Sequence, residues 1–220
     1  MKDYGQFCGL AKAGSVLGER WSLLILRDLS IGPRRFKDLL EGLPGIPTSV
    51  LATRLRELQS AGVIDRTAQD RPGGGVLYGL TPHGQGLLPI LDAIGRWGAA
   101  TMVSPADDDV ITDASLAAAL RAAFRPGAVR VVTTYAVHAG PASAWAIVEP
   151  DRAIVGEGEP GGPPDVTIRT GPQLRLLLAG RMTPADALSS GAVRHTGPPA
   201  AFDDFIRAFH VPLADTAGIP

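Results

Sequence analysis

The sequence has little of what several classes of protein require. Its 220 residues include one cysteine, Cys8, so a disulfide within the chain and a cysteine-built zinc site are both excluded. The four histidines have no metal-ligand spacing, and no Ser-His-Asp or paired-carboxylate set is apparent, so we expect no metal, no cofactor and no enzymatic activity. No apolar run approaches the roughly 20 residues that span a bilayer, and the N-terminus lacks a signal pattern. We therefore expect a cytoplasmic protein with no membrane partner.

The net charge of the whole chain is small, at −1, but the charged residues are unevenly distributed along it. Residues 1–104 carry 12 Lys and Arg against 9 Asp and Glu, a net charge of +3. Residues 105–220 carry 9 against 13, a net charge of −4. This difference in sign indicates that the two halves have different partners.

The first half predicts a helical domain that ends in a hairpin and one more helix. Four segments have apolar residues at helical spacing: 8–17, 20–30, 34–41 and 48–61. Two candidate strands, 63–69 and 76–80, flank a glycine-rich tip. A last helix over 82–101 is predicted, with Thr81 as its cap and a proline in its first turn.

The second half predicts a different architecture. Residues 103–113 contain four aspartates and a proline and form the best candidate linker. They separate a domain over 1–102 from one over 114–212, with a tail at 213–220. In the second domain, helices are predicted at 114–124, 172–180, 184–190 and 200–209, and strands at 128–137, 143–149, 152–158, 165–170 and 192–196. Because helices and strands do not alternate strictly, the predicted fold class is α+β with a mixed or antiparallel sheet, after a mainly α winged helix-turn-helix domain.

The helix over 48–61 has the features of a DNA-recognition helix. It follows another helix across the tight Gly/Pro turn 42–47, and a hairpin with a glycine tip comes directly after it. Its outward face is small and polar at the start and carries one arginine, so it can approach base edges and bind guanine in a bidentate manner. Taken alone, the segment also fits an ordinary amphipathic surface helix.

The predicted DNA contacts lie on three neighbouring elements. Small side chains and an arginine come from the recognition helix, and cations come from the start of the preceding helix and from the hairpin. For any single cation, a solvated surface charge is the alternative. The candidate residues are Thr48, Ser49, Ala52, Thr53, Arg56, Arg34, Arg35, Lys37, Arg66 and Arg71.

The N-terminal sequence resembles the HxlR-type winged helix-turn-helix regulators, which are relatives of the MarR group. The resemblance covers residues 8–98 and is carried by Cys8, GERWSLLILRDLSIGPRRFKDLLEGLPGI (18–46), VLATRLRELQSAGVIDR (50–66), YGLTPHG (78–84) and IGRWG (94–98). It implies a homodimer that places one recognition helix per subunit in successive major grooves of double-stranded DNA. It also implies dimer contacts through the terminal helices, here 8–17 and 82–101. Pro47 departs from the family pattern, in which a capping serine is common.

Residues 114–210 resemble a sterol-carrier-protein-like domain. The carrying segment is DVTIRTGPQLRLLLAGRMTPADALSSGAVRHTG (165–197), followed by a helix with three phenylalanines. The resemblance implies an α+β fold, which in some members encloses an apolar tunnel for lipid-like molecules. Large apolar residues that could line such a pocket are Tyr135, Trp145, Leu174, Leu177, Leu178, Phe202, Phe205 and Phe209. The alternative is that each belongs to an ordinary core.

These observations favour a dimeric DNA-binding transcriptional regulator, expected to be a repressor, that responds to an apolar small molecule in the second domain. A carrier of lipids or small molecules, with the winged helix used for dimerisation, is the alternative from another class. A third hypothesis makes Cys8 a thiol sensor of oxidants or electrophiles, because some regulators of the HxlR type use a cysteine at this position. A small packed residue at the dimer contact is the other interpretation of Cys8.

Overall fold

The computed structural model describes residues 4–69, 75–102, 105–106 and 108–214. The chain divides into two compact units, residues 1–91 and 92–220. The division falls inside a helix, ahead of the linker that we predicted over 103–113. No helix among the described residues is long and apolar enough to cross a membrane.

The first unit is a helical domain with a two-stranded hairpin. Its elements are α1 (Gly9–Leu17), α2 (Ser22–Leu29), α3 (Phe36–Gly42), α4 (Thr48–Ser60), β1 (Ile64–Ala68), β2 (Val76–Leu80), α5 (Pro82–Gln85) and the start of α6 (Leu88–Ala99). Apolar residues of α2, α3 and α4 form its core, and Ile25, Leu39 and Leu51 are completely buried. Strands β1 and β2 are antiparallel, with Ile64 opposite Leu80. The predicted winged helix-turn-helix architecture is confirmed.

The predicted helix over 82–101 is in fact two helices, with a tight turn at Gly86 and Leu87 between them. A Cβ atom on Gly84 would lie 2.0 Å from the carbonyl oxygen of Val63, so only glycine fits between α5 and the start of β1. The N–H of Leu87 donates to the Gly84 carbonyl at 3.0 Å, and this tight turn ends α5 before α6 begins.

The second unit is an α+β domain with a five-stranded sheet of order β5-β4-β3-β6-β7. Its remaining elements are α7 (Asp113–Ala123), β3 (Thr133–Ala139), β4 (Ala142–Val148), β5 (Ala153–Glu157), β6 (Val166–Thr170), α8 (Leu174–Leu178), α9 (Pro184–Ser189), β7 (Val193–Thr196) and α10 (Pro199–Ala208). Strands β3 and β6 are parallel and the other pairs are antiparallel, which confirms the mixed sheet. The predicted strand at 128–137 begins only at Thr133, and Val131 and Val132 are exposed.

The two faces of this sheet differ. On β4, the alternate residues Ala142, Ala144, Ala146 and Val148 are buried, and α7 packs against β4 and β5. The opposite face carries the half-buried residues of β4, which are Ser143, Trp145 and Ile147. This alternation is expected where one face of a sheet covers a core.

The end of α6 is held against α7 inside the second unit. The guanidinium of Arg121 pairs with the carboxylate of Asp92 at 2.9 Å, and both side chains are largely buried. Arg96 donates to the carbonyl oxygen of Ala122 at 2.9 Å. These contacts explain why the division between the units falls within α6.

We expect Gly84→Ala to destabilise the first unit by about 1–3 kcal/mol, because the added methyl group forces the backbone apart. Hydrogen exchange followed by mass spectrometry, with α4 and β1 peptides as the probes, measures the loss within that unit. The control is Gly32→Ala. A Cβ at Gly32 meets nothing within 4 Å, so unchanged or slightly slower exchange is expected. Equal effects of the two substitutions would contradict the packing role of Gly84.

Candidate nucleic-acid interface

Helix α4 presents a mostly polar surface along one side. Leu51, Leu55 and Leu58 face the core, whereas Thr48 and Ser49 are exposed at the first turn. The N-cap residue Pro47 forms no side-chain cap hydrogen bond. The amide N–H groups of this turn are therefore left for water or for an anion such as a phosphate.

The remaining predicted contacts on α4 lie one and two turns further along the helix. Ala52 and Thr53 are half-buried, and Arg56 is exposed. The guanidinium of Arg56 folds back on its own helix, where it donates to the Thr53 hydroxyl at 3.2 Å and to the Ala52 carbonyl at 3.3 Å. Because these bonds are exposed, exchanging them for bonds to a base costs little.

The other arginine of α4 has a structural position. Arg54 pairs with Glu19 at 3.1 Å and also with Glu57, and its side chain is only 17% exposed. Arg54 thus ties α4 to the segment before α2. The two arginines, two residues apart in the sequence, lie in different environments, and only Arg56 is available to a ligand.

A backbone bridge joins the loop before α3 to the hairpin. Arg34 and Tyr78 exchange two hydrogen bonds, of 2.9 Å from the Arg34 N–H and 2.7 Å from the Tyr78 N–H. On its other side, Tyr78 is the cross-strand partner of Arg66. Residues directly opposite one another share a face, so the structure brings Arg34 and Arg66 to either side of Tyr78. The sequence pattern did not indicate Tyr78, because the bridge joins residues far apart in the chain.

The hydroxyl of Thr81 fixes the base of the hairpin. It donates to the Gly62 carbonyl at 2.6 Å and accepts from the Gly84 N–H at 3.0 Å. The N–H of Thr81 also donates to the Val63 carbonyl at 3.0 Å. The end of α4, the start of β1 and the start of α5 are therefore joined at one point.

The remaining predicted cations differ in their surroundings. Arg35 is exposed at the N-cap of α3, and its N–H donates to the Asp38 carboxylate at 3.0 Å. Lys37 is exposed and lies 3.5 Å from Glu41. Within the described ranges, no carboxylate lies within ion-pair distance of Arg35, Arg56 or Arg66. The predicted contact Arg71 lies outside the described residues.

Cys8 is the N-cap residue of α1 and is exposed. Hydrogen bonds from the backbone N–H groups of Ala11 and Leu10 lower the pKa of its thiol. This location at a helix start favours the thiolate.

The predicted apolar pocket residues lie in the interior of the second unit, with one exception. The Tyr135 ring lies 5.2 Å from that of Phe205, which lies 4.7 Å from that of Phe209. The Tyr135 hydroxyl donates to the Ala201 carbonyl at 2.9 Å, and burial raises the pKa of Tyr135 to about 12. Phe202, Leu174, Leu177 and Leu178 are also buried. Trp145 lies on the opposite sheet face, over Gly156.

Comparison with known proteins places the first unit among regulators. A family model described as HxlR-like helix-turn-helix matches residues 16–105. An HTH-type transcriptional regulator of Synechocystis sp. is 37% identical over 96 residues, which cover 44% of this chain and 71% of the relative. The HTH-type transcriptional regulator YodB of Bacillus subtilis is 35% identical over 88 residues, which cover 40% of this chain and 79% of YodB.

Solved structures that match part of this chain include the reduced form of YodB from B. subtilis. It is 34% identical to this chain, and the match covers 46% of this chain and 100% of YodB, with a TM-score of 0.40. The redox regulator HypR in its oxidized form is 27% identical to this chain. The match covers 44% of this chain and 100% of HypR, with a TM-score of 0.42.

Replacing Arg56 by alanine tests whether α4 contacts bases. We expect Arg56→Ala to weaken specific DNA binding by about 1–3 kcal/mol and to relax the preference at one base position. Fluorescence anisotropy with the DNA upstream of the protein's own gene measures the change, and the melting temperature should not move.

Arg54→Ala is the matched control for this experiment. Removal of the Arg54 guanidinium breaks its pairs with Glu19 and Glu57. We therefore expect lower stability of the first unit and an unchanged base preference. If Arg54→Ala changed the base preference and Arg56→Ala did not, the assignment of the exposed face of α4 would be wrong.

Proposed function

Because the chain belongs to the HxlR-like helix-turn-helix family of transcriptional regulators, we propose that it binds double-stranded DNA as a homodimer and represses transcription. The observation that carries this proposal is the exposed face of α4, where Arg56 pairs with no carboxylate of the described residues, beside a hairpin that bears Arg66. Repression is the simplest outcome, since a dimer bound at a promoter blocks access to it.

In this proposal the contacts have different roles. The small side chains Ser49, Ala52 and Thr53 let α4 approach the base edges of a major groove, and Arg56 binds a guanine. Thr48 and the uncapped first turn of α4 bind a phosphate. Cations of the α3 start and of the hairpin position the protein on the phosphate backbone: Arg34, Arg35, Lys37, Arg66 and Arg71.

Exposed apolar side chains on two helical segments support the homodimer. Ahead of and within α1, Phe7 and Leu10 are almost entirely exposed, at 113% and 82%. Along α6, Ile90, Ile94 and Trp97 are exposed at helical spacing, and Trp97 is 78% exposed. Large apolar side chains gain about 25 cal/mol per Å² when they are covered. A second copy of the chain is the proposed cover.

The test of this function is binding to the DNA upstream of the protein's own gene. At physiological salt we expect at least about 10³-fold tighter binding than to a scrambled duplex of equal length. Two chains should bind per site, with half-sites about 10–10.5 base pairs apart. Equal affinity for both duplexes would overturn the proposal, and one chain per site would overturn the dimer.

We further propose that Cys8 senses oxidants or electrophiles. The specific observation is an exposed thiol whose pKa is lowered by the Ala11 and Leu10 N–H groups. Reactivity follows the thiolate, which a lowered pKa makes available at lower pH. Because Cys8 lies at the start of α1, its modification would act on one of the two segments proposed to form the dimer.

Alkylation of the thiol tests this second proposal. Cys8 is the sole cysteine, so all of the signal comes from it. The thiolate is lost as pH falls through the pKa. The pH at which iodoacetamide reacts at half of its maximal rate should therefore be lower in the folded protein than in guanidinium. In guanidinium the start of α1 is lost, which makes the unfolded chain its own control. Coincident profiles would contradict an activated thiol.

For the second unit, we propose the binding of an apolar effector, with a carried lipid as the alternative. The unit's order of strand, helix, helix and strand over 165–197 agrees with the sterol-carrier-protein-like resemblance. An apolar effector or a carried lipid would have to displace the packed cluster of Tyr135, Phe202, Phe205 and Phe209. Mass spectrometry of apolar molecules that co-purify with the chain distinguishes a carrier, which retains a lipid and lacks DNA affinity, from a regulator.

A further inference from the structure

A polar surface cavity that is open to solvent lies in the second unit, away from the buried aromatic cluster. Its volume is about 730 Å³, within the range of small-molecule sites. It is bordered by the ends of β6 and β7 and by the loops that join them to α8 and α9. The side chains that the argument uses are His138, Arg169, Gln173 and Arg194.

Two arginines face each other in this cavity. Arg169 of β6 is the direct cross-strand partner of Arg194 of β7, so the two side chains share one face of the sheet. Both belong to the cavity lining and both are exposed. Within the described part of the second unit, no carboxylate lies within 4.0 Å of either guanidinium. Like charges placed directly opposite repel each other, and an anion between them relieves this repulsion.

His138 lies on β3, next to the arginine pair. It is the cross-strand partner of Arg169 of β6 and of Ser143 of β4. Its Nδ1 lies 3.0 Å from the Ser143 hydroxyl and 3.7 Å from the Glu159 carboxylate. Among the described residues, its Nε2 has no hydrogen-bond partner. This nitrogen is therefore a third polar group next to the arginine pair.

The loops that border the cavity are held together independently of any ligand. The Thr170 hydroxyl lies 3.2 Å from the Ala192 carbonyl and 3.3 Å from that of Gly171, so it joins the loop after β6 to the loop before β7. The Ser190 hydroxyl donates to the Asp186 carbonyl at 2.6 Å. The Gln173 amide, by contrast, has no partner among the described residues, so it is a further donor for a ligand.

We propose that this cavity binds a small organic anion through a carboxylate or phosphate group held between Arg169 and Arg194. The planar guanidinium matches both groups, with two parallel hydrogen bonds to each. Gln173 and His138 contact the polar body of the ligand. The site does not depend on the DNA-binding function, because all of its residues belong to the second unit.

Isothermal titration of the full-length chain with citrate and with inorganic pyrophosphate tests the site. Each probe is compared with sodium chloride at equal ionic strength, and we expect saturable binding of at least one probe. Arg169→Gln and Arg194→Gln should each weaken that binding about 10- to 100-fold. The matched control is Arg130→Gln, since Arg130 is an exposed arginine of the same unit outside the cavity, and it should bind as the unchanged chain does.

Thermal unfolding without any added anion gives a second, independent measurement. Removal of one of two repelling charges should leave the melting temperature of Arg194→Gln equal to or above that of the unchanged chain. A purely structural role for Arg194 predicts the opposite. Absence of saturable binding with both probes, or equal loss in Arg130→Gln and Arg194→Gln, would overturn the proposal. DNA affinity, measured separately on the same proteins, shows whether the regulator function stands.

Discussion

The pair of backbone hydrogen bonds between Arg34 and Tyr78 determines how the hairpin lies against the helix-turn-helix. A two-stranded hairpin is marginally stable alone, and this one is also held by Ile64, Tyr78 and Leu80, which pack on the core of the first unit. With the two bonds between Arg34 and Tyr78, the loop before α3 acts as a third partner of the sheet. Arg34 and Arg66 then lie on either side of Tyr78, and the proposed DNA interface includes both.

The charged residues of the first unit divide between holding the fold and remaining available. Arg54 is held by Glu19 and Glu57, and Arg27 pairs at 2.8 Å with the buried Asp28. Arg56 and Arg66 have no such partner in the described ranges. Because an arginine already paired with a carboxylate gains little from a phosphate, we propose that the second group makes the contacts with DNA.

The two faces of the sheet in the second unit carry different sets of side chains. The inward face, with Tyr135 and the phenylalanines of α10, is closely packed and forms the core. The other face places Ser143, His138, Arg169 and Arg194 in one row across four strands. Its members His138, Arg169 and Arg194, and not the aromatic cluster, border the cavity. The proposed anion site and the proposed DNA interface therefore belong to different units of the chain.

Local patterns in the sequence determined most of the elements. Helical spacing of apolar residues located α2, α3 and α4, turn residues located the hairpin, and the absence of strict alternation indicated an α+β second domain with a mixed or antiparallel sheet. These features depend on neighbours a few residues apart, which a linear pattern contains. The turn over 42–47 and the polar face of the helix over 48–61 indicated DNA binding, and the family resemblance of residues 8–98 supported it.

Contacts between distant segments were decided only by the tertiary structure. Gly84 lies against the Val63 carbonyl, and Glu19, which precedes α2, pairs with Arg54 and not with Arg56. The same is true of Arg169 and Arg194, which are 25 positions apart in the sequence and become neighbours through the pairing of β6 with β7. Single-residue patterns carry no information on such pairings, because their energy arises only once the chain has folded.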